Sequence, residues 1–394
     1  MTSRFLRNTL LGLALCTAAL GVRWAQAQNA NPPPLMIAKE GYLYAGGHYD
    51  QTHPDHHIVG QLYAEFQIPA NGTHPYPIIM VHGGSQTGVD WLATPDGRDG
   101  WAQFFLRRGY AVYVVDQVGR GKSPYNPAVY GATNDQSLDF DLQRFAAGEK
   151  YDLWPQAKLH TQWPGKAEPG DPTFDNYFAS STPTMHDKTE NRQVNIDALA
   201  ALLDKIGPAI VLVHSQSGAF GWPLAQMRPA LVKAIVAAEP SGPPVHDIDF
   251  PGAPNYFSDV AEVKPYGLTD TPVIYAPAVT KQSPLEFVRQ DKPDGTGLAR
   301  CWRQKEPARK IVALGDRPIL ILGAEASFYA GYNHCTVEYL EQGGVHSTFI
   351  RLADIGIHGN GHMMMEEKNS DQIAQVIADW LDKNKAAIET ARAK

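Results

Sequence analysis

Between Ala209 and Ala219 the chain reads AIVLVHSQSGA, an apolar run that ends in two serines and a glycine. A serine hydroxyl is a weak nucleophile until a neighbouring base takes its proton, and the strand-to-helix turn that presents such a serine needs small residues around it. Two serines compete for the role. With Ser215 at the centre of a G-x-S-x-G-like pentapeptide, Val213 and Ser217 fall at the glycine places; with Ser217 there, Ser215 and Ala219 do. Size favours Ser217, whereas the flanks, His-Ser-Gln with Gly218 following, favour Ser215. The bland alternative is a Ser-rich turn after a core strand, which would need no partners elsewhere in the chain.

Partners are present, in the order serine, acid, histidine. Gly356 to His362 reads GIHGNGH and runs into Met363, Met364 and Met365. Glycines on either side suit a loop that presents an imidazole, and His362, next to the apolar run that anchors it, is preferred to His358; His346 reads as structural. Two glutamates compete for the acid that fixes the histidine tautomer. Glu325 closes the apolar run Ile319 to Leu322, the usual place for this group, and Glu239 abruptly ends the run Ala234 to Ala238, locked by Pro240. A carboxylate at such a boundary is costly unless partnered. An oxyanion would be held by the backbone N–H of Gln216 and by the Gly84/Ser85 region of His82-Gly83-Gly84-Ser85, which follows the apolar PIIMV.

These groups need a frame. Pro77 to Val81, Ala111 to Asp116, Ala209 to Val213, Ala234 to Ala238, Ile319 to Leu322 and Ser347 to Leu352 read as strands. Helices are expected over Gly100 to Arg108, Asn191 to Ile206, from the elbow to about Met227, Ser283 to Gln290, Asn333 to Gln342 and Ser370 to Asn384. The alternation predicts an α/β fold with a mostly parallel sheet covered on both faces. Lys39 to Gly47 and Ile58 to Ile68 read as an antiparallel hairpin whose His-rich turn matches no metal-ligand spacing. From Pro124 to His186 periodicity fails and aromatics accumulate, Trp154 and Trp163 among them, which predicts a cap that lines the approach to the serine.

Composition bounds the rest. At 394 residues with 43% hydrophobic content the chain can bury a large core, and nothing marks a linker between domains. A net charge of -7, with no cluster of Lys or Arg, excludes a nucleic-acid partner on charge. Arg4 and Arg7, the apolar stretch Leu10 to Val22 and Ala25-Gln26-Ala27 make residues 1–27 an export signal cut after Ala27, too short in its apolar part to span a membrane. Residues 28–394 then form one exported domain, secreted or periplasmic, with no stable membrane anchor. Export leaves Cys301 and Cys335 where a disulfide persists. Gly119-Arg120-Gly121-Lys122-Ser123 lacks the upstream glycine of a P-loop, no G-x-G-x-x-G follows the first parallel strand, and no cofactor or metal is expected.

On VHSQSG at Val213 to Gly218, AEPSG at Ala238 to Gly242 and the Gly359 to Met365 stretch, the chain resembles secreted bacterial esterases of the α/β-hydrolase superfamily. In that group, which includes sulfonylurea-herbicide de-esterifying esterases, the elbow reads S-Q-S-G. The resemblance implies an α/β-hydrolase fold with an inserted cap, a small-molecule ester as substrate, and a homodimer. It also implies Ser215 as nucleophile, His362 as base and Glu239, rather than Glu325, as acid. An amidase or thioesterase would use the same residues. A silent α/β-hydrolase fold used for binding would need none of them.

Overall fold

The computed structural model describes residues 34–391 except His53, so the expected export signal and its expected cleavage point lie outside the described residues. The compact unit that begins at Ile37 is built on an eight-stranded sheet. Its strands are β1 (Ile37–Tyr49), β2 (Ile58–Pro69), β3 (Ile78–Val81), β4 (Val112–Asp116), β5 (Ala209–Ser215), β6 (Val232–Pro240), β7 (Ile319–Gly323) and β8 (Thr348–Arg351). They lie in the order β1-β2-β4-β3-β5-β6-β7-β8. β1 pairs antiparallel with β2, and β2 with β4; every other neighbouring pair is parallel. The helices that follow the argument below are α1 (Trp101–Arg107), α2 (Pro172–Ala179), α3 (Lys188–Ile206), α4 (Gly218–Met227), α5 (Asn333–Gln342) and α6 (Ser370–Lys383).

Parallel strands buried on both faces read as continuous apolar runs, which is why β3, β5 and β7 stand out in the sequence. Alternate residues Ile79, Val81, Val211, Val213, Ile235 and Ile321 pack with Leu199 and Leu203 of α3 and Phe220 and Trp222 of α4. The intervening Ile78, Met80, Ile210, Leu212 and Val236 are equally buried and point to the other face. α1 and α6 pack on each other, joined by a hydrogen bond from Trp101 Nε1 to the Ser370 carbonyl at 3.0 Å. Each parallel crossover returns the chain to the same edge, so the ends of β3, β5, β6 and β7 converge at one rim, where ligands of open α/β sheets bind.

Two long excursions leave the sheet, between β4 and α3 and between β6 and β7. The first, which covers the stretch expected to lack periodicity, contains short helical turns at Pro127–Tyr130 and Leu138–Ala146 and the helix α2, each begun by a side-chain cap at Asn126, Ser137 or Asp171. The second corrects an expectation. Ser283 to Gln290 is not helical: Phe287–Arg289 is a strand paired with Trp302–Gln304. Gln290 N–H donates to the Cys301 carbonyl and Lys305 N–H to Glu286, so cross-strand pairing overrides a short helical pattern. Cys301 and Cys335 are disulfide-bonded, which ties this hairpin to α5.

Candidate active site

β5 delivers Ser215 to the rim at φ +52°, a conformation costly for a residue with a Cβ, and the chain is already helical at Gly218. The turn is that sharp because two neighbours crowd it. A Cβ at Gly218 would lie 2.5 Å from Pro240 Cα, and one at Gly83 would lie 3.1 Å from Ser215 Cβ. The two serines part company here. Ser215 is half-buried, whereas Ser217 is wholly buried and its Oγ is occupied. It accepts the His214 N–H at 2.9 Å and lies 2.9 Å from the carbonyls of Val81 and His214, to which it donates. Ser217 thus closes the turn, and Ser215 is the hydroxyl left at the rim.

Glu239, at the end of β6, is turned inward by φ +46°. Its Oε1 accepts the Ala324 N–H at 2.9 Å and Asn333 Nδ2 at 3.0 Å; its Oε2 accepts the Ser327 hydroxyl and His362 Nδ1, the latter at 2.7 Å. Donors converge on both oxygens, so the carboxylate takes the Nδ1–H of His362 and leaves Nε2 as the ring's acceptor. That Nε2 has no partner in the protein among the described residues. Both side chains are wholly buried. Burial pushes the Glu239 carboxyl up, opposed by the hydrogen bonds of Ser327, Ala324 and Asn333, and pushes the His362 ring below its ordinary range. The ring is held by Phe145, Phe328 and Tyr329, with centroids at 5.5, 4.6 and 4.5 Å, and its backbone carbonyl bonds His214 Nε2 at 3.0 Å. The Tyr329 hydroxyl in turn meets the Ser215 side chain, so one tyrosine touches both serine and histidine.

The rival acid and base form a pair of their own. His358 Nδ1 lies 3.1 Å from Glu325 Oε1, and Gly359 N–H donates to Glu325 Oε2 at 2.8 Å, on a largely exposed surface. In the oxyanion loop, Ser85 has φ +56° and its N–H donates to Thr184 Oγ1 at 3.2 Å, which engages one of the two expected donors. Gly84 backs onto Gln216, with a Cβ there 3.7 Å from Gln216 Cβ. Arg120 spans both halves of this region, donating to the Gly83 carbonyl and to Gln216 Oε1, each at 2.8 Å. The turn that carries Arg120 is organised around an internal carboxylate: Asp116 accepts the N–H groups of Gly88 and Lys122, both at 2.7 Å.

The two tryptophans separate. Trp154 is buried with its Nε1 on the Ala326 carbonyl at 2.9 Å and its ring edge-on to Phe328, one shell from His362. Trp163 packs on Phe174 and Tyr177 inside the excursion, and its Nε1 has no hydrogen-bond partner among the described residues. Sequence reasoning missed Ser327, Tyr329, Asn333 and Arg120, while Phe145 falls among the aromatics expected in the cap. Only Arg120 had a local signal, in its glycine-flanked turn; the others matter through contacts that the fold creates.

Residues 78–376 match the alpha/beta hydrolase family. Over 344 residues, 87% of this chain and 89% of the relative, the sequence is 42% identical to a probable secreted lipase, phiG, of Fungal sp. (strain ATCC 74256). Among solved structures the chain is similar to a novel bacterial esterase known at atomic resolution, with a TM-score of 0.57 and 23% identity over 90% of this chain and 99% of that one. The last likeness is one of fold.

Proposed function

Because this chain belongs to the alpha/beta hydrolase family, we propose that it is an exported serine carboxylesterase acting on carboxylic esters of small molecules. The observation that carries the reading is the buried 2.7 Å contact between Glu239 and His362 Nδ1, taken with a Ser215 held at positive φ at the end of β5. In the proposal Ser215 Oγ attacks the ester carbonyl as His362 Nε2 takes its proton, and Glu239 stabilises the imidazolium that forms. The N–H groups of Gln216 and Gly84 receive the oxyanion, with Arg120 steadying both segments. His362 then protonates the departing alcohol, and water hydrolyses the acyl-enzyme with the same histidine as base.

The aromatic wall of Phe145, Phe328 and Tyr329 beside His362 supports esters with an apolar or aromatic acyl or alcohol group, herbicide and other xenobiotic esters included. The relative described as a probable secreted lipase supports both ester hydrolysis and export, and a disulfide suits that compartment. A fluorophosphonate probe followed by peptide mass spectrometry tests the assignment. We expect one modified residue, Ser215, with labelling lost in Ser215→Ala and kept in folded Ser217→Ala; modification at Ser217, or none in active protein, would overturn it.

A further inference from the structure

At the start of α5, directly after Asn333, a second cluster gathers about the disulfide. Cys301, His334 and Cys335 offer ligand atoms within 4.8 Å of one another, and Asp294, Cys301, His334 and Glu338 do the same. His334 Nε2 is the common member: it lies 3.2 Å from Cys301 Sγ, 3.7 Å from Cys335 Sγ and 3.4 Å from Asp294 Oδ2. Asp294 Oδ2 lies 3.9 Å from Cys301 Sγ. Zinc holds sulfur at about 2.3 Å and imidazole nitrogen at about 2.0 Å, so ligands around a tetrahedral ion stand about 3.3 to 3.8 Å apart. The nitrogen–sulfur, nitrogen–oxygen and sulfur–oxygen separations are already close to those values. The two sulfurs are joined instead of parted, and Cys335 Sγ, which shares no such group with Asp294, has to swing towards the ion once it is freed.

The surroundings suit a soft divalent ion. Gln290 Nε2 fixes the Asp294 carboxylate with contacts of 3.0 and 2.9 Å; Arg303 engages Glu338 and stands 4.0 Å from Asp294 Oδ1, while Asp294 Oδ2 faces His334 Nε2 at 3.4 Å as the oxygen donor. Asp294 is exposed and gives an ion its way in, while Cys301 and Cys335 are buried. The chain spacing hides all this, because the four residues come from a hairpin and a helix brought together by the fold.

We propose that, once a dithiol has reduced the Cys301–Cys335 disulfide, Cys301, Cys335, His334 and Asp294 bind one zinc(II) ion, which replaces the covalent bond as the cross-link between the Phe287–Gln304 hairpin and α5. The dithiol gives two electrons and two protons to the disulfide and becomes a disulfide itself; the two cysteine thiols then release their protons to solvent as thiolates bind the metal. Disulfide and zinc are thus alternative, mutually exclusive occupants of one locus. Either would hold the start of α5, from which Asn333 reaches Glu239 at 3.0 Å.

The test uses the full chain, reduced with dithiothreitol and freed of it anaerobically, then titrated with zinc(II) and, as a spectroscopic probe, cobalt(II). Native mass spectrometry should find one metal per chain in the reduced protein and none at this locus in the disulfide form. Cobalt should give thiolate-to-metal absorption with tetrahedral d–d bands, and folded His334→Ala and Asp294→Ala should each weaken binding by roughly tenfold or more. If reduction loosens the fold, zinc should restore its circular dichroism in the parent chain and not in His334→Ala. Absence of binding by the reduced chain, equal binding by the disulfide form, or undiminished binding in His334→Ala would each overturn the proposal, and none depends on esterase activity.

Discussion

A histidine serves as a base only while its ring is neutral, and burial without a compensating charge on Nε2 keeps His362 so. Its pKa is displaced below the ordinary 6.5, with burial the dominant cause. The sign is direct: kcat/KM should stay level as pH falls through 6.5 and decline only below it, in a pH profile taken with a neutral ester. An acid limb centred at or above 7 would show that the carboxylate on Nδ1 outweighs burial at the ring. At this scale the sequence was legible where the proposed roles are marked locally. Ser215 sits between flanks that mark an elbow, and His362 follows glycines and precedes an apolar anchor. Ser327 and Asn333, which complete the carboxylate's cradle, carry no such mark; each is an ordinary polar residue until β6 and α5 are brought side by side. Ser85 was read as an oxyanion donor because glycines precede it, and Thr184, nearly a hundred positions away in sequence, engages that N–H.

The elbow is a meeting of elements, and its tolerance follows from their distance. α4 begins against the turn after β6, and a Cβ at Gly218 would lie 2.5 Å from both Pro240 Cα and Cβ and 2.8 Å from Ser241 N, atoms that cannot swing aside. Gly218→Ala should therefore push β5 and β6 turns apart, lowering kcat at least tenfold and the melting temperature by several degrees, by roughly 1 to 3 kcal/mol for overpacking. A variant with native activity and melting point would mean that the two turns are not packed as described. The excursion between β4 and α3 makes a second element-level claim. Trp154→Ala should reorder the preference among p-nitrophenyl esters of increasing acyl length, because Trp154 backs Phe328 against His362, whereas Trp163→Ala should leave the ranking unchanged. The same scale shows where the sequence misleads: Asn333 to Gln342 is helical as its spacing predicts, while within Ser283 to Gln290 the segment Phe287–Arg289 pairs as a strand because a hairpin partner and the bridge to α5 decide its conformation.

Across the whole molecule, distant segments are fastened at a few buried points, and His160 is one. It lies in the excursion between β4 and α3 yet bonds Glu367 at 2.7 Å, and Glu367 also accepts the Gly361 N–H at 2.9 Å beside His362. Burial opposes its charge, but the carboxylates of Glu367 and Glu149 outweigh that and raise its pKa from 6.5 to about 9. Such a group contributes its full stability below 6.5 and loses it as pH rises through 9, on the order of 3 kcal/mol. Urea melts at pH 6 and pH 10 should show that loss in the parent chain and a smaller one in His160→Gln; equal losses would place the pH dependence elsewhere. The disulfide, closing 34 residues of sequence, adds about 3 to 4 kcal/mol on chain-entropy reasoning. The architecture was legible because parallel strands write themselves as apolar runs, and the acid was open because a glutamate stands near the end of β6 and another just beyond β7. That ambiguity makes the acid the decisive measurement. Glu239 and Glu325 each pair with a histidine, His362 in the interior and His358 at the surface. Steady-state kcat should be measured for folded Glu239→Gln and Glu325→Gln on one p-nitrophenyl ester. The account predicts a loss of roughly three to four orders of magnitude in Glu239→Gln with KM little changed, and less than about tenfold in Glu325→Gln. Near-native turnover in Glu239→Gln, with the large loss in Glu325→Gln, would contradict it.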